Sequence, residues 1–168
     1  DAFLYLHAKL YGMVTKNFVE ELRWRGMIHD LMPGTEEQLL KESTAGYIGF
    51  DPTADSLHIG HLAQIMTLLN FQKSGHKPYA LVGGATGLIG DPSFKAQERQ
   101  LNTPDVIGSW VEKIRSQVSR FIDFEAGATA AEVVNNLDWT AGLDVLTFLR
   151  DVGKHFSVNA MIQKESVK

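Results

Sequence analysis

Apolar and polar residues change their spacing several times along the chain, and three stretches have the pattern of buried strands. The first is an apolar run over 46–50, which ends at Asp51-Pro52. The second is "KPYALVGG" (77–84), which runs into glycines, and the third is the short "AEVVNN" (131–136). We therefore expect three strands, each followed by a turn or loop.

The stretches around these strands have the residue spacing of helices. A pattern from Asn17 onward stops near Gly26, and Thr35 with Gln38 has the spacing of a capping box for "TEEQLLKES". The clearest helix follows 46–50 and ends near Gly75. Its apolar residues recur at i, i+3, i+4 and i+7, which predicts one buried face: Leu62, Ile65, Met66 and Leu69.

Two further helices are predicted in the second half of the chain. Thr103 and Pro104 have the residue types of an N-cap and a first helical position. The apolar stripe that follows is Val106, Ile107, Trp110, Ile114, Val118 and Phe121. Another helix is expected over 143–156. Because strands alternate with helices, the sequence predicts an α/β domain of the nucleotide-binding type, with a parallel sheet and crossover helices.

Composition narrows the class of protein without identifying it. The chain has 168 residues, enough for one domain with a core, and 44% hydrophobic with 21% charged residues is ordinary for globular proteins. Its net charge of −4 argues against a basic nucleic-acid platform. The absence of cysteine excludes disulfides and thiolate metal sites. An intracellular, cytoplasmic protein fits this lack of cysteine. No apolar run approaches the roughly 20 residues of a membrane span, so we expect no membrane segment.

Candidate chemistry begins where the first strand ends, in "YIGFDPTADSLHIGH" (47–61). His58 and His61 are spaced i, i+3 in the first turn of the next helix, so they lie on one side of it. Their donors and the positive end of the helix dipole favour a bound polyphosphate. Gly60 leaves room for a base or ribose. Two alternatives stay open: the histidines cap and pack the helix, or they form a metal pair with Asp51 or Asp55.

A second polar cluster follows the second strand in "VGGATGLIGDPS" (82–93). Its glycines, over 83–90, suit either tight turns or phosphate contacts, and the spacing matches neither common phosphate-binding fingerprint. Asp91 is placed to accept from a substrate ammonium group, unless it only forms an Asx-turn before Pro92. Lys95 and Arg99 follow, either as cations that close over pyrophosphate or as solvated charge.

Four blocks of this sequence resemble class I aminoacyl-tRNA synthetases, and the tyrosyl branch in particular. "YIGFDPTADSLHIGH" contains the His-Ile-Gly-His signature, and "LVGGATGLIGDPS", "NNLDW" and "FLRDVGKHFSVN" follow in the family's order. The resemblance covers residues 17–168. It implies a Rossmann-like parallel sheet with flanking helices, the N-terminal part of a catalytic domain that continues beyond this chain. It also implies tyrosine activation by ATP, with Mg²⁺ accompanying the nucleotide and no metal site in the protein, and then transfer to tRNA(Tyr).

The resemblance also assigns roles to individual residues. Thr53 and His58 match the positions that stabilise the phosphates, and Gly60 with His61 match the pair against which the nucleoside lies. Lys95 and Arg99 match cations of a mobile loop that grips pyrophosphate. The tyrosine cavity is implied to contain Tyr47, which donates to the phenolic oxygen, Asp91, which accepts from the ammonium group, and Gly49 with Asp51, which also contact ATP.

Some positions depart from the family pattern. Ile48 stands where the family can place a polar residue that touches ribose, and Phe94 stands where a loop glycine is common. The rest of the tyrosine pocket, a second signature loop and the anticodon-binding regions are missing after Lys168, so we expect little or no turnover from these 168 residues alone. Residues 1–16 are interpreted as a leader, tag or rearranged segment, since "DAFLYLHAKLYG" resembles a part of the family found further downstream.

Other readings of the whole chain remain. One is a non-catalytic, synthetase-like binding module, and another is a different nucleotidyl transferase with the same histidine-rich helix start. Asn136 and Trp139 of "NNLDW" suit a site edge or ordinary packing. The apolar face with Phe148, Leu149, Val152 and Phe156 suits internal packing or the homodimer interface that the resemblance implies nearby.

Overall fold

A three-stranded parallel sheet organises the chain in the computed structural model, which describes residues 17–51, 56–89 and 103–163. The strands are β1 (Ala45–Phe50), β2 (Lys77–Val82) and β3 (Glu132–Asn135), in the order β1-β2-β3. Tyr47 lies opposite Tyr79, and Val82 lies opposite Asn135. All three strands occur where the sequence predicts them, and their parallel pairing confirms the expected α/β class.

Helices precede, connect and follow the strands. Before β1 lie α1 (Phe18–Trp24) and α2 (Thr35–Lys41), and α3 (Ile59–Lys73) connects β1 to β2. Between β2 and β3 lie α4 (Gly84–Ile89) and α5 (Pro104–Val118). After β3 come α6 (Leu137–Thr140), α7 (Val145–Thr147), a π-helical turn (Phe148–Val152), a 3₁₀ turn (Gly153–His155) and α8 (Val158–Ile162). Among the described residues, no helix is long and apolar enough to cross a membrane.

The core lies on one face of the sheet, between the strands and the two long helices. Because successive strand residues point to opposite faces, Phe50, Ala80 and Val82 point together into this core. Apolar residues of α3, α5 and the segments that follow α5 complete it: Ile65, Leu68, Leu69, Ile107, Val111, Ile114, Val118, Ile122 and Ala131. This single cluster fixes the positions of α3 and α5 relative to the strand ends.

The stripes expected on the two long helices are partly right. On α5, Ile107, Ile114 and Val118 are buried as predicted, but Val106 is exposed. Phe121, the last residue of the predicted stripe, is also exposed and lies beyond the end of α5. The last two turns of α3 are buried on several sides, as the burial of Asn70 and Gln72 shows. A single buried face was therefore too narrow a description of α3, because other parts of the chain cover its C-terminal half.

The amide of Gln72 explains part of that burial. Its Nε2 donates to the carbonyl oxygens of Asp123 and Thr129, at 2.6 and 2.8 Å. Its Oε1 accepts from the Asp123 N–H at 2.9 Å. These three bonds satisfy a buried polar side chain and hold the loop before β3 against α3.

Three local predictions were wrong. The α2 cap is Gly34, whose φ of 84° is in the left-handed region that favours glycine, and Gln38 bonds forward to Glu42, so Thr35 forms no capping box. The segment 83–90 contains the short helix α4 rather than turns alone. The single helix expected over 143–156 is divided into α7, a π-helical turn and a 3₁₀ turn. Many of its apolar side chains are exposed among the described residues, so little packing energy supports one continuous helix there.

Candidate active site at the carboxyl ends of the strands

The start of α3 is built from the two histidines themselves. His58 is the N-cap, and its Nδ1 accepts from the Gly60 N–H at 3.0 Å. His61 Nδ1 accepts from the His58 N–H at 3.2 Å. The two ring centroids are 3.9 Å apart. The histidines therefore cap the helix, which was one of the open alternatives. Both rings lie on the same side of its first turn.

This capping fixes where the ring protons lie. A neutral imidazole that accepts at Nδ1 carries its proton on Nε2, so each histidine has an Nε2–H donor. The pKa of His61 is lowered from its ordinary value by burial and by the neighbouring His58, while Asp51 opposes the change. His61 is accordingly a neutral donor near pH 7. Capping and phosphate binding are compatible, because they use different nitrogens.

Gly60 has a reason to be glycine that the sequence did not reveal. A Cβ at this position would lie 2.8 Å from Cε1 and 3.0 Å from Nδ1 of His58. Any side chain would displace the capping ring. That Gly60 also leaves space for a nucleoside stays a prediction. The geometry shows that glycine is needed here to accommodate the His58 ring.

Asp51 lies where β1, α3 and α4 meet. It directly follows β1, and its Oδ1 accepts from the Thr86 hydroxyl of α4 at 3.4 Å. The Phe50 and His61 rings lie 6.1 Å apart, which places the start of α3 at the carboxyl end of β1. His58, Ile59 and Gly60 are exposed. The helix N-terminus is thus open to a ligand at the sheet edge where α/β proteins bind nucleotides.

The second face of the sheet carries an open apolar cavity of about 370 Å³. Tyr47 lies on this face with 70% of its surface exposed. The lining is Ala45, Gly46, Tyr47, Tyr79, Leu81, Val134 and Trp139. We did not predict Tyr79, Leu81 or Val134 as lining residues, although the alternation of each strand is the signal that places them beside Tyr47 and Gly49.

Gly49 and Ile48 occupy opposite faces of β1. A Cβ at Gly49 would meet no described atom within 4 Å, which agrees with an open surface at this position. Ile48 packs against the core. Its apolar side chain is therefore used for packing on the face that α3 covers.

The "NNLDW" segment joins the end of β3 to α4. Asn135 Oδ1 accepts from the N–H groups of Gly84 and Leu137, at 3.2 and 3.0 Å, and Asn136 Oδ1 accepts from the Ala85 N–H at 2.7 Å. These bonds show a structural role for Asn136. Trp139 is half exposed and borders the cavity.

Several predicted site residues lie outside the described residues. They are Thr53, Asp91, Lys95 and Arg99, together with Phe94 and Asp55. Their roles therefore stay predictions. Among the described residues, no group of three or more His, Asp or Glu side chains is arranged to hold a metal ion. Tyr47, Gly49, Asp51, His58, Gly60 and His61 are described, and they fall into two groups, one on the open sheet face and one at the start of α3.

Comparison with known proteins identifies the family. The sequence pattern of the "tRNA synthetases class I (W and Y)" matches residues 39–168. The chain belongs to this family. It is 60% identical over 156 residues to the tyrosine–tRNA ligase of Aliivibrio salmonicida, covering 92% of this chain and 37% of that protein. It is 58% identical to the tyrosine–tRNA ligase of Cytophaga hutchinsonii, covering 91% of this chain and 36% of that one.

Solved structures agree with this class I fold. A C-terminally truncated mitochondrial tyrosyl-tRNA synthetase of Aspergillus nidulans superposes with a TM-score of 0.68 at 26% identity, covering 95% of this chain and 50% of that one. The tyrosyl-tRNA synthetase of Archaeoglobus fulgidus, complexed with L-tyrosine, shares the fold with a TM-score of 0.53 at 18% identity, over 80% of this chain and 40% of that one. The chain spans somewhat more than a third of the length of its curated relatives.

Proposed function

We propose that the whole protein is a tyrosine–tRNA ligase, which activates tyrosine with ATP and transfers the tyrosyl group to tRNA(Tyr). The observation that carries this proposal is the exposed histidine cap of α3, beside a sheet face with Tyr47, in a chain 60% identical to a curated tyrosine–tRNA ligase. A non-catalytic binding module would not need two imidazole donors held at an open helix N-terminus.

The chemistry needs positioning more than acid–base catalysis. The tyrosine carboxylate attacks the α-phosphorus of ATP, a new carboxyl–phosphate bond forms, and the bond to the β-phosphate oxygen breaks to release pyrophosphate. The carboxylate is already ionised, so no general base is required. Negative charge shifts onto the phosphate oxygens, where the Nε2–H donors of His58 and His61 and the dipole of α3 stabilise it.

The roles of the remaining residues follow the family resemblance. Thr53 would add a phosphate contact, and Lys95 with Arg99 would bind the leaving pyrophosphate. Mg²⁺ would accompany the ATP phosphates and neutralise part of their charge. Oxygen-rich phosphates are the ligands that this ion prefers.

Tyrosine would lie on the open sheet face. Tyr47 would donate to its phenolic oxygen, Asp91 would accept from its ammonium group, and Gly49 with Asp51 would line the space between tyrosine and ATP. A site built to hydrogen-bond a hydroxyl rejects the analogue that lacks it, as is known for tyrosyl-tRNA synthetases, because its polar groups are left unpaired.

The partners of the whole protein extend beyond this chain. tRNA(Tyr) would bind through regions outside these 168 residues, and we expect a cytoplasmic homodimer. The apolar residues of the segment 145–162 support an interface, because many are exposed: Val145, Leu146, Phe148, Leu149, Phe156, Val158 and Ile162. Sedimentation of the whole protein at micromolar concentration should show dimers, and monomers alone would contradict the interface.

ATP–pyrophosphate exchange by the whole protein tests the activity. Tyrosine should support exchange and phenylalanine should not. His58→Asn keeps an N-cap acceptor but removes the ring donor, so exchange should fall by roughly 10²–10³-fold while the helix remains capped. His29→Asn, at an exposed position outside the site, is the matched control and should behave as the unaltered protein.

Two results would contradict the proposal. Absence of tyrosine-dependent exchange in the unaltered protein would favour the binding-module reading. Exchange supported by another amino acid but not by tyrosine would indicate a different nucleotidyl transferase.

A further inference from the structure

Leu57 directly precedes the histidine cap, and its backbone is bound by a side chain from far along the sequence. Its N–H donates to Gln117 Oε1 at 2.9 Å, across a separation of 60 residues. Leu57 is the residue before the N-cap of α3. The bond therefore acts on the backbone immediately before the two rings.

Gln117 is well placed to hold that backbone still. It lies in the last turn of α5, between Ser116 and Val118, and Val118 with Ile114 is almost completely buried in the core. The Leu57 side chain packs against the same core. The amide of Gln117 thus connects a rigid helix to the start of α3.

The hydrogen bonds continue from Leu57 into both rings. The next N–H along the chain, that of His58, donates to His61 Nδ1, and the Gly60 N–H donates to His58 Nδ1. A displacement of the Leu57 backbone would therefore move the His58 backbone and weaken both caps. Both Nε2 donors would move with it.

We propose that Gln117 is a positioning residue for the reaction, and that its bond to the Leu57 N–H sets where the Nε2 donors of His58 and His61 lie. The inference rests on the proposed tyrosine activation and deepens it. Gln117 touches neither ATP nor tyrosine in this role. Displacements of about 1 Å are enough to reduce rates by up to about 10²-fold when a reaction depends on placement.

The test compares four variants of the whole protein in ATP–pyrophosphate exchange. Gln117→Met keeps the length of the side chain and removes the acceptor, so kcat should fall about tenfold while the KM for tyrosine stays within about twofold. Gln117→Glu restores an acceptor oxygen and should recover kcat to within about threefold of the unaltered protein. Gln117→Asn keeps the amide but withdraws it by one methylene, so it should lose kcat to the same extent as Gln117→Met. It serves as the test variant if Gln117→Met does not fold.

Gln72→Met is the matched control for a merely structural effect. It removes an amide that makes three bonds to the distant loop 123–129, and none of them reaches the start of α3. Its melting temperature should fall at least as far as that of Gln117→Met, while kcat at 25 °C should not change. A kcat loss in Gln72→Met as large as in Gln117→Met would overturn the positioning role.

The remaining outcomes separate this inference from the proposed function. Unaltered kcat in both Gln117→Met and Gln117→Asn, with normal exchange in the parent, would overturn the positioning role alone. Failure of Gln117→Glu to recover activity would also overturn it. No tyrosine-dependent exchange in the parent would overturn the proposed function and the positioning role together.

Discussion

Replacing Gly84 by alanine should strongly destabilise the fold, because Asn135 occupies the space of the missing side chain. A Cβ at Gly84 would lie 2.9 Å from Asn135 Cγ and closer still to Oδ1. That oxygen accepts from the N–H groups of Gly84 and Leu137, so it cannot move away without losing these bonds. The change therefore acts on the connection between α4 and the end of β3.

The expected cost combines two terms. Overpacking a filled site costs about 1–3 kcal/mol, and each lost hydrogen bond costs about 0.5–1.5 kcal/mol. The chain would relax partly by accepting the overpacking and partly by moving Asn135 and losing its hydrogen bonds. We therefore expect a loss of about 2–4 kcal/mol in the free energy of unfolding. This is far above the usual effect of adding one methyl group to a helix.

Urea unfolding followed by circular dichroism measures this loss, and the chain provides a matched control. Gly108 lies inside α5, and a Cβ there would meet no described atom within 4 Å. Gly108→Ala should stabilise the protein by about 0.5–1 kcal/mol, because alanine is the better helix former. The same chemical change should thus have opposite signs at the two sites.

A double-mutant cycle isolates the contact with Asn135. Asn135→Ala alone should destabilise the protein, but Gly84→Ala added to it should cost about 1–3 kcal/mol less than in the native background. Equal effects of Gly84→Ala in both backgrounds, or a loss below 1 kcal/mol in the native one, would refute the proposed clash.

Three further predictions concern pH and the site. Burial lowers the pKa of His76 below its ordinary value of 6.5, so below about pH 6.5 the unfolded state binds more protons than the folded state. Stability should therefore fall as the pH is lowered through this range. In pH-dependent unfolding, His76→Gln should flatten this part of the stability curve, and an unchanged slope would contradict the assignment. Gly60→Ala should reduce pyrophosphate exchange at least tenfold by displacing the His58 ring, and activity close to normal would show that the ring can shift without consequence. Tyr47→Phe should reduce the preference for tyrosine over phenylalanine in exchange kinetics, whereas Tyr79→Phe, on the next strand of the same cavity, should not; equal effects would remove the special role of Tyr47.

Some features of the fold could be predicted because their signals are local. The mostly apolar runs over 46–50 and 77–82 end at Asp51-Pro52 and at Gly83, and they form β1 and β2 almost residue for residue. Thr103 occupies the N-cap position expected for it, and the helical pattern predicted from Asn17 onward begins with Asn17 as the N-cap of α1. His58 and His61 fall in the first turn of α3 because helical spacing alone determines which side chains share a side.

Other features depend on backbone conformation and on contacts that residue type and periodicity do not reveal. Gln38 has the residue type of a capping box, but Gly34 caps α2 because the backbone entering the helix is left-handed there. Gly60 and Gly84 occupy similar positions in the sequence, since each lies at the start of a helix that follows a strand. The first avoids a ring two positions away, whereas the second avoids a side chain 51 residues away, which periodicity cannot reveal.

The sequence by itself determined the strands, the long helices and the placement of two histidines at the start of α3, because these depend on residue type and on spacing within a few turns. Only the tertiary structure decided which face of the sheet stays open beside Tyr47 and which distant amide holds the backbone of Leu57. The physical reason is that strand pairing and the packing of α3 and α5 bring together groups separated by 30 to 60 residues, and no local pattern encodes those contacts.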